Sequence, residues 1–442
     1  MLAPVSTRRD ELVETLHGVE VSDPYRWLED LDGSETRAWI EEQNRVSDAF
    51  FSSIPEREAI RRRIESLWNY EKVGLPSHRG DWLYFSRNSG LQNQSVIYRV
   101  RADAWRSGGL ERTATVVLDP NGLSDDGTVS INTSAVSEDG RLFAYGLSEA
   151  GSDWVEIHVR DVERAIDLPD RVRWVKFSHI SWRKDGSGFF YSRYPEPKGD
   201  DLLKDVNRFH QVWFHKIGTP QTDDKLIYER PDRESWGFGA RVTDDDRWLV
   251  IEASEGTARE TAIFLKSLEE DGPVFELLGK LDAQYEVIHN TGDVFYLFTD
   301  HDAPRGRIVS VDVAQAKATG EPVLDEIVAE RRSTLRGVEA AGGRLVASYL
   351  TDARGELIVY RLDGSLERTI ELPAMGSVSG VRGRSDSPEL FYAFSSFTYP
   401  TTIFRIDLDT AAQETFHRPN VGFDPEDFVI EQVFYSSRDG TR

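Results

Sequence analysis

A β-strand pattern recurs seven times along this chain. Each copy has a turn rich in Asp and Gly, an aromatic-rich strand, a polar loop and a second apolar strand. Successive copies begin 60, 46, 60, 46, 51 and 45 residues apart. One small sheet of this kind cannot bury both of its faces, so neighbouring sheets must stack on one another. The copies begin at Asp81–Phe85, Arg141–Tyr145, Ser187–Tyr191, Arg247–Ile251, Asp293–Leu297, Arg344–Ser348 and Glu389–Ala393.

This period predicts an all-β fold, a seven-bladed β-propeller of four-stranded antiparallel blades. β-branched and aromatic strands between Gly, Asp and Asn turns are what such a sheet needs. The third repeat is longer, and residues 194–208 are expected to form an exposed loop because they are charged and contain Pro and Gly. The alternative is a β-sandwich whose strand spacing matches by coincidence.

Two amphipathic helices are predicted ahead of the first repeat, over residues 34–51 and 54–70. Ser34 is expected to cap the first helix, and Ser53 with Glu56 to form a capping box at the start of the second. The second helix carries an apolar stripe made of Ile60, Ile64, Leu67 and Trp68. Something must cover such a stripe, either the propeller flank or a second domain.

The end of the chain suggests a further domain. Residues 429–435 are predicted to form a strand, residues 436–440 a hairpin turn, and Thr441-Arg442 the opening of a returning strand. A hairpin that stops after its turn leaves backbone groups unpaired. We therefore expect residues 426–442 to begin another domain.

Composition excludes several classes of function. The 442 residues carry a formal charge of -24, which argues against a nucleic-acid partner, and no apolar run approaches the length of a membrane helix. The absence of cysteine excludes disulfides and thiolate chemistry. The N-terminus does not have the pattern of a secretory signal, so cytoplasmic residence is expected.

Several longer motifs resemble the prolyl oligopeptidases, serine peptidases that cut short peptides after proline. The motifs are Asp23–Asp30, Ser137–Ser148, Gly151–Trp154, Arg173–Ser178 and Val433–Thr441. The resemblance implies three parts: an N-terminal helical arm (residues 1–74), an inserted seven-bladed propeller (75–425) and the start of a C-terminal α/β-hydrolase domain (426–442). It also implies that the arm packs on the hydrolase domain.

The resemblance further implies that the catalytic Ser, Asp and His all lie C-terminal to the propeller, outside these 442 residues. A nucleophile elbow requires small residues around its serine. The only glycines four apart with serine nearby are in Gly376-Ser-Val-Ser-Gly380, whose central residue is Val378. This chain alone is therefore expected to be inactive as a peptidase and to need a separate hydrolase domain.

By the same resemblance, the propeller restricts access by size and contributes to substrate binding. Phe177 is implied to lie in the pocket for the residue two positions before the cut proline. The sequence departs from the family pattern near Gly237 or Phe238, where a Met is usual, and at Thr257, where a Cys is usual. The pocket of this chain is therefore expected to differ in shape from the family pattern.

Other chemistries find little support. His210 and His215 lie five apart near a strand, which would place their rings on opposite faces, so no metal site and no cofactor are predicted. The carboxylates of residues 244–246 match turn positions in other repeats and are interpreted as turn residues rather than catalytic acids. Two alternatives remain: a stand-alone propeller that binds proteins or peptides, and a glycoside-processing propeller with paired carboxylates.

Overall fold

The structure is a computed structural model that describes residues 5–197 and 207–441. The chain divides into two compact units, Met1–Asn69 and Tyr70–Arg442. The first contains a short hairpin and two helices, and the second contains almost all of the strands. Within the described part of the chain, no helix is long and apolar enough to cross a membrane.

The first unit confirms the two predicted helices but not their caps. Its elements are β1 (Val13–Leu16), β2 (Val19–Ser22), α1 (Ser34–Ser52) and α2 (Arg57–Trp68). Gly33, which has no side chain, occupies the first cap position, and Glu56 occupies the second without a side-chain cap hydrogen bond. The capping box predicted for Ser53 and Glu56 is wrong, because the Ser53 hydroxyl donates back to the carbonyl oxygen of Phe50 at 2.7 Å.

The second unit begins with a five-stranded sheet followed by an eight-stranded one. The first sheet holds β3 (Lys72–Val73), β4 (Ser77–Arg79), β5 (Trp82–Asn88), β6 (Val96–Arg101) and β7 (Thr115–Leu118), with the short helices α3 (Trp105–Gly108) and α4 (Leu110–Thr113) between the last two. The second sheet holds β8 (Val129–Val136), β9 (Leu142–Glu149), β10 (Val155–Asp161), β11 (Ile166–Val175), β12 (Ser181–Trp182), β13 (Gly188–Arg193), β14 (Gln211–Lys216) and β15 (Lys225–Glu229).

Four further sheets each contain four strands. The third sheet holds β16 (Trp236–Val242), β17 (Trp248–Glu255), β18 (Thr261–Ser267) and β19 (Phe275–Leu278), and the fourth holds β20 (Tyr285–Thr291), β21 (Val294–Thr299), β22 (Arg307–Asp312) and β23 (Asp325–Val328) with helix α5 (Val313–Thr319) before the last strand. The fifth holds β24 (Thr334–Ala341), β25 (Arg344–Thr351), β26 (Arg354–Arg361) and β27 (Leu366–Ile370), and the sixth holds β28 (Ser377–Arg384), β29 (Ser387–Ser395), β30 (Thr402–Asp407) and β31 (Gln413–His417).

The fold is an all-β propeller, as predicted, but the strands do not divide into seven separate four-stranded sheets. Two predicted blades share the eight-stranded sheet, because β11 and β13 are joined at one residue pair, Val175 and Arg193. The two-residue strand β12 pairs only with β13. All strand pairs are antiparallel, as the repeat pattern predicts for a meandering sheet.

Apolar side chains from neighbouring sheets build the core. Trp248 of β17 packs against Phe295 of β21, with ring centroids 6.0 Å apart. The last sheet packs on the first in the same way, because Phe416 of β31 meets Phe85 of β5 at 6.1 Å. This contact brings the end of the strand series back to its beginning and closes the ring.

Polar contacts support the same closure. Glu389 of β29 lies 2.9 Å from the Nδ1 atom of His78 on β4, and Glu414 of β31 pairs with Arg106 at 2.6 Å. A further ion pair joins Arg384, the last residue of β28, to Glu138 in the turn after β8. The ring is therefore fastened by side chains rather than by a strand shared between its ends.

The strand predicted over residues 429–435 is absent. These residues have no assigned secondary structure, because no neighbouring strand in the described part of the chain forms a ladder with them. Val429, Val433 and Tyr435 are exposed. The turn is present, with the amide of Gly440 donating to Ser437 O at 3.0 Å. Arg442 lies outside the described residues, as do residues 198–206 of the predicted loop, whose flanking positions 195, 196, 207 and 208 are exposed.

Candidate functional site

Phe177 lies just after β11, with its side chain held outside the core. Its ring is 62% exposed, and its backbone φ is 53°, a value that non-glycine residues rarely adopt. Trp174, three residues earlier, is also in this region with φ at 64°. Such conformations cost free energy and persist only when their surroundings fix them. The segment from Trp174 to Phe177 is therefore held in place by its neighbours.

An aromatic cluster surrounds this segment. The ring of Trp154 meets Trp174 edge to face at 5.9 Å and Tyr194 at 6.4 Å. The ammonium group of Lys176 lies 5.1 Å from the Trp154 ring and 5.3 Å from the Phe177 ring, and it pairs with Asp153. A cation between aromatic faces adds attraction to the packing. The cluster thus offers an apolar surface with one charged group within it.

His210 connects the Phe177 segment to the third sheet. The side chain is buried, and its Nδ1 atom accepts a hydrogen bond from the amide of Phe238 at 2.8 Å. Its Nε2 atom lies 3.1 Å from the carbonyl oxygen of Lys176. Because an amide only donates and a carbonyl only accepts, the ring must be neutral with its proton on Nε2. Burial lowers the pKa of His210 to about 4, which keeps it neutral.

The other two predicted binding residues lie at one end of the third sheet. Gly237 lies on β16 opposite Ser254, and a Cβ atom at Gly237 would be 3.8 Å from Nδ1 of His210. The Met of the family pattern falls at Gly237 or Phe238. Because Phe238 packs into the core, Gly237 is the position that lies outside the core. Thr257 is exposed in the turn between β17 and β18. Phe177 and Gly237 therefore lie on opposite sides of His210. Thr257 lies further along the same end of the third sheet.

His215 has different partners from His210, so the two histidines do not share a site. Its Nδ1 and Nε2 atoms lie 2.7 Å and 3.1 Å from carboxylate oxygens of Asp224 and Asp170, with all three side chains buried. Burial by itself would lower the pKa of His215, but the hydrogen bonds to Asp170 and Asp224 raise it to about 9. The sequence could not reveal this cluster, because Asp170 lies 45 residues away.

A cavity of about 830 Å³ lies where the first strands of the sheets converge. β8, β16, β20, β24 and β28 each contribute lining residues, together with residues 74–79 of the first sheet. Its charged lining residues come from different sheets: Arg79, Arg241, Asp244, Glu252, Glu286, Glu339 and Arg382. Burial raises the pKa of Glu252 and of Glu339. The cavity is thus a polar space lined by residues from several sheets of the ring.

The acidic turn at residues 244–246 links sheets as well as forming a turn. Asp246 makes a bidentate pair with Arg183 of the second sheet, at 3.0 and 2.9 Å. Asp245 accepts a hydrogen bond from the side chain of Asn290 in the fourth sheet at 2.7 Å. Asp244 lines the cavity. The interpretation of these carboxylates as turn residues missed their contacts with neighbouring sheets, which come from distant parts of the sequence.

The serines of Gly376-Ser-Val-Ser-Gly380 do not form a nucleophile elbow. Ser377 and Ser379 lie on β28, and Val378 pairs with Phe394 of β29. A nucleophile elbow is a sharp turn between a strand and a helix, which this segment is not. Within residues 5–197 and 207–441, no hydrogen bond joins a serine hydroxyl to a histidine ring.

Comparison with known proteins places this architecture in a family. Residues 4–419 match the family described as prolyl oligopeptidase, N-terminal beta-propeller domain. A prolyl endopeptidase of Elizabethkingia meningoseptica is 38% identical over 436 residues, which cover 99% of this chain and 60% of that protein. Prolyl oligopeptidase A of Galerina marginata is 30% identical over 457 residues, covering 96% of this chain and 60% of that protein.

Solved structures show the same similarity. Prolyl oligopeptidase B from Galerina marginata, bound to a 35mer hydrolysis and macrocyclization substrate, superposes with a TM-score of 0.89 at 28% identity, covering 99% of this chain and 63% of that chain. A structure from a study of two prolyl endopeptidases gives a TM-score of 0.77 at 36% identity, covering 99% and 62%. The chain thus spans about three fifths of the relatives that it matches, and its match to their propeller domain shows that it belongs to the prolyl oligopeptidase family.

Proposed function

We propose that this chain supplies the propeller of a serine endopeptidase that cleaves short peptides after proline. In this proposal the ring admits flexible peptides and excludes folded proteins, and a C-terminal α/β-hydrolase domain carries the Ser, Asp and His of the triad. Family membership and the polar cavity of about 830 Å³ support the role in access. Cytoplasmic residence belongs to the same proposal.

The proposal counts seven blades. The eight-stranded sheet is read as two blades, β8–β11 and β12–β15, because the two halves share the single pair Val175 and Arg193. In the first sheet β3 and β4 both pair with β5 and are read as one interrupted strand. Residues 1–74 are assigned to the arm, whose last strand, β3, completes the first blade, residues 75–425 to the propeller and 426–442 to the start of the hydrolase domain.

The observation that carries the substrate assignment is the exposed ring of Phe177. A large apolar side chain held out of the core in a strained backbone is available to a ligand, and covering it stabilises a complex by about 1.5–3 kcal/mol. We assign Phe177, Gly237 and Thr257 to the pocket for the residue two positions before the proline. Gly237 leaves space beside His210 for that residue.

The test combines the 442-residue chain with the hydrolase domain of the Elizabethkingia meningoseptica prolyl endopeptidase, fused or mixed. Hydrolysis of a proline-containing chromogenic peptide is measured for the chain, the hydrolase domain and their combination. We expect no turnover by the chain alone, and turnover by the combination that falls when the cleavage sequence is embedded in a folded protein. Turnover by the pure chain contradicts the proposal. Binding of proline-free peptides without any turnover by the combination supports the stand-alone binding propeller instead.

Within this assay Phe177→Ala tests the substrate assignment. The variant is expected to lower kcat/KM about tenfold for a peptide with an apolar residue two positions before proline. Leu366→Ala is the matched control, because Leu366 is an exposed apolar residue on the outer strand β27. An equal effect of the two substitutions would remove Phe177 from the site.

A further inference from the structure

The peptide bond between Lys176 and Phe177 has a buried partner from another part of the chain. Its carbonyl oxygen faces Nε2 of His210 at 3.1 Å. Rotation of this peptide plane changes φ of Phe177, so the bond to His210 fixes the plane whose orientation gives Phe177 its φ of 53°. Without that bond the plane is free to turn and return Phe177 to an ordinary φ.

The opposite side of the imidazole is fixed by the third sheet. Phe238 lies on β16, an edge strand, and its amide donates to Nδ1 of His210 at 2.8 Å. The ring of His210 also stacks on Tyr194, with centroids 4.4 Å apart. Two hydrogen bonds and one stacking contact therefore leave the buried imidazole little freedom to rotate.

We infer that His210 is the positioning residue of the candidate peptide pocket: its neutral imidazole holds the Phe177 peptide plane at a fixed place relative to Gly237. The carbonyl oxygen bonded to Nε2 belongs to Lys176, the residue before Phe177. The amide bonded to Nδ1 belongs to Phe238, the residue after Gly237. His210 does not contact substrate in this arrangement. It sets the distance between Phe177 and Gly237, which form two walls of the pocket. That distance determines the size of the substrate side chain that the pocket accepts. The inference rests on the proposed function only for the identity of the ligand.

The residue on the other side of Phe177 does not provide this connection. The Ser178 hydroxyl oxygen accepts a hydrogen bond from the amide of Ser192 at 2.7 Å, and Ser192 belongs to the same sheet as β11, the strand that precedes Phe177. That bond fixes the segment within its own sheet. The two hydrogen bonds of His210, in contrast, tie the Phe177 segment to the sheet that carries Gly237.

Two substitutions separate the two hydrogen bonds. In His210→Asn the side-chain oxygen occupies the place of Nδ1 and can accept from the Phe238 amide, while the donor to Lys176 is lost. In His210→Gln the terminal NH₂ reaches the place of Nε2 and can donate to Lys176, while the acceptor for Phe238 is lost. The two variants are similar in polarity and both remove the aromatic ring.

The experiment uses the 442-residue chain without peptide. A trifluoromethyl-phenylalanine at position 177 reports the ring environment by ¹⁹F NMR, and hydrogen exchange reports the Phe238 amide. We expect His210→Asn to narrow the ¹⁹F line and shift it toward the value of an unfolded chain, with Phe238 still protected. We expect His210→Gln to keep the ¹⁹F signal and to speed exchange at Phe238 by about tenfold or more. Equal effects of both variants, or no effect of either, overturn the inference.

A measurement on the unsubstituted chain applies even if a variant does not fold. ¹⁵N NMR of labelled histidine is expected to show His210 as the neutral tautomer with its proton on Nε2 at pH 6. A proton on Nδ1 at that pH overturns the inference.

Ligand identity is tested separately in the combined enzyme. There His210→Asn, but not His210→Gln, is expected to reduce the preference for an apolar over an alanine residue two positions before proline by about tenfold. If the unsubstituted combined enzyme shows no turnover, that result counts against the proposed function. The NMR spectra of the 442-residue chain decide the role of His210 in either case.

Discussion

The Nδ1 atom of His215 lies 2.7 Å from the Oδ1 atom of Asp224, and solvent reaches neither side chain. The Nε2 atom faces Asp170 of β11, so the imidazole joins the two halves of the eight-stranded sheet. Both ring nitrogens donate when the ring is charged, and the hydrogen bonds raise the pKa of His215 to about 9. A buried charge with two such partners stabilises the fold as long as it remains protonated.

The first prediction concerns alkaline pH. Because the pKa of His215 is higher in the folded chain than in the unfolded one, its contribution is fully present below about pH 6.5 and is lost as pH rises to about 9. The loss amounts to roughly 3 kcal/mol of the free energy of unfolding. Urea unfolding of the natural chain and of His215→Gln should therefore show a difference in stability that is large at pH 6 and much smaller at pH 9. A difference that stays constant over this range would show that folding does not raise the pKa of His215.

The second prediction concerns acid and has the opposite sign. The pKa of His210 is depressed to about 4, so its contribution is present above about pH 6.5 and is lost as pH falls through 4. Relative to His210→Asn, the natural chain should lose roughly 3 kcal/mol between pH 7 and pH 4. His289 on β20 is a second histidine whose pKa is lowered by burial, and it allows the same comparison in another sheet. Equal pH dependence of the natural chain and His210→Asn would show that folding does not lower the pKa of His210.

These two histidines show where reasoning from sequence reaches its limit. The strands were predictable because alternating aromatic and β-branched residues between Asp-Gly turns encode local structure. The spacing of His210 and His215 was also informative, since their side chains have separate partners. Their partners were not predictable, because Asp170, Lys176 and Phe238 reach them only through the stacking of sheets.

The third prediction concerns closure of the ring. Arg384 of the last sheet pairs with Glu138 of the second sheet, and both side chains are partly shielded from solvent. A double-mutant cycle of Arg384→Gln and Glu138→Gln should give a coupling energy of about 1 kcal/mol. The exposed pair Arg101 and Asp103 is the control and should give less than about 0.5 kcal/mol. Equal coupling in the two cycles would mean that the Arg384 pair does not fasten the ring.

The fourth prediction concerns self-association. Ile60, Ile64 and Leu67 on α2 are each more than half exposed, as are Val429 and Val433 near the end of the chain. Contiguous exposed apolar side chains favour association. Sedimentation velocity should therefore show more dimer or larger species for the 442-residue chain than for residues 70–425, a fragment that keeps β3 paired with β5. Ile60→Lys with Ile64→Lys should reduce association of the full chain. Identical profiles for all three proteins would contradict this expectation.

The two ends of the chain show a second limit of sequence patterns. Residues 429–435 are rich in β-branched and aromatic residues, yet a strand forms only where another backbone pairs with it, and the described residues form no ladder with this segment. At the helices the periodicity was sufficient to predict α1 and α2, but the cap at Ser53 depended on where the first helix ended, one residue later than expected. The seven repeats were visible in sequence, whereas the pair Val175 and Arg193 that merges two of them was not.

The most direct test of the central claim is photo-crosslinking of a bound peptide. A proline-containing peptide with benzoyl-phenylalanine two positions before the proline is irradiated with the combined enzyme, and the adduct is mapped by mass spectrometry. We predict an adduct within residues 174–178 or at Gly237, which unlabelled peptide suppresses and Phe177→Ala reduces. An adduct confined to the outer strands, such as β27, or one that unlabelled peptide does not suppress, would contradict the claim that this end of the propeller binds the substrate.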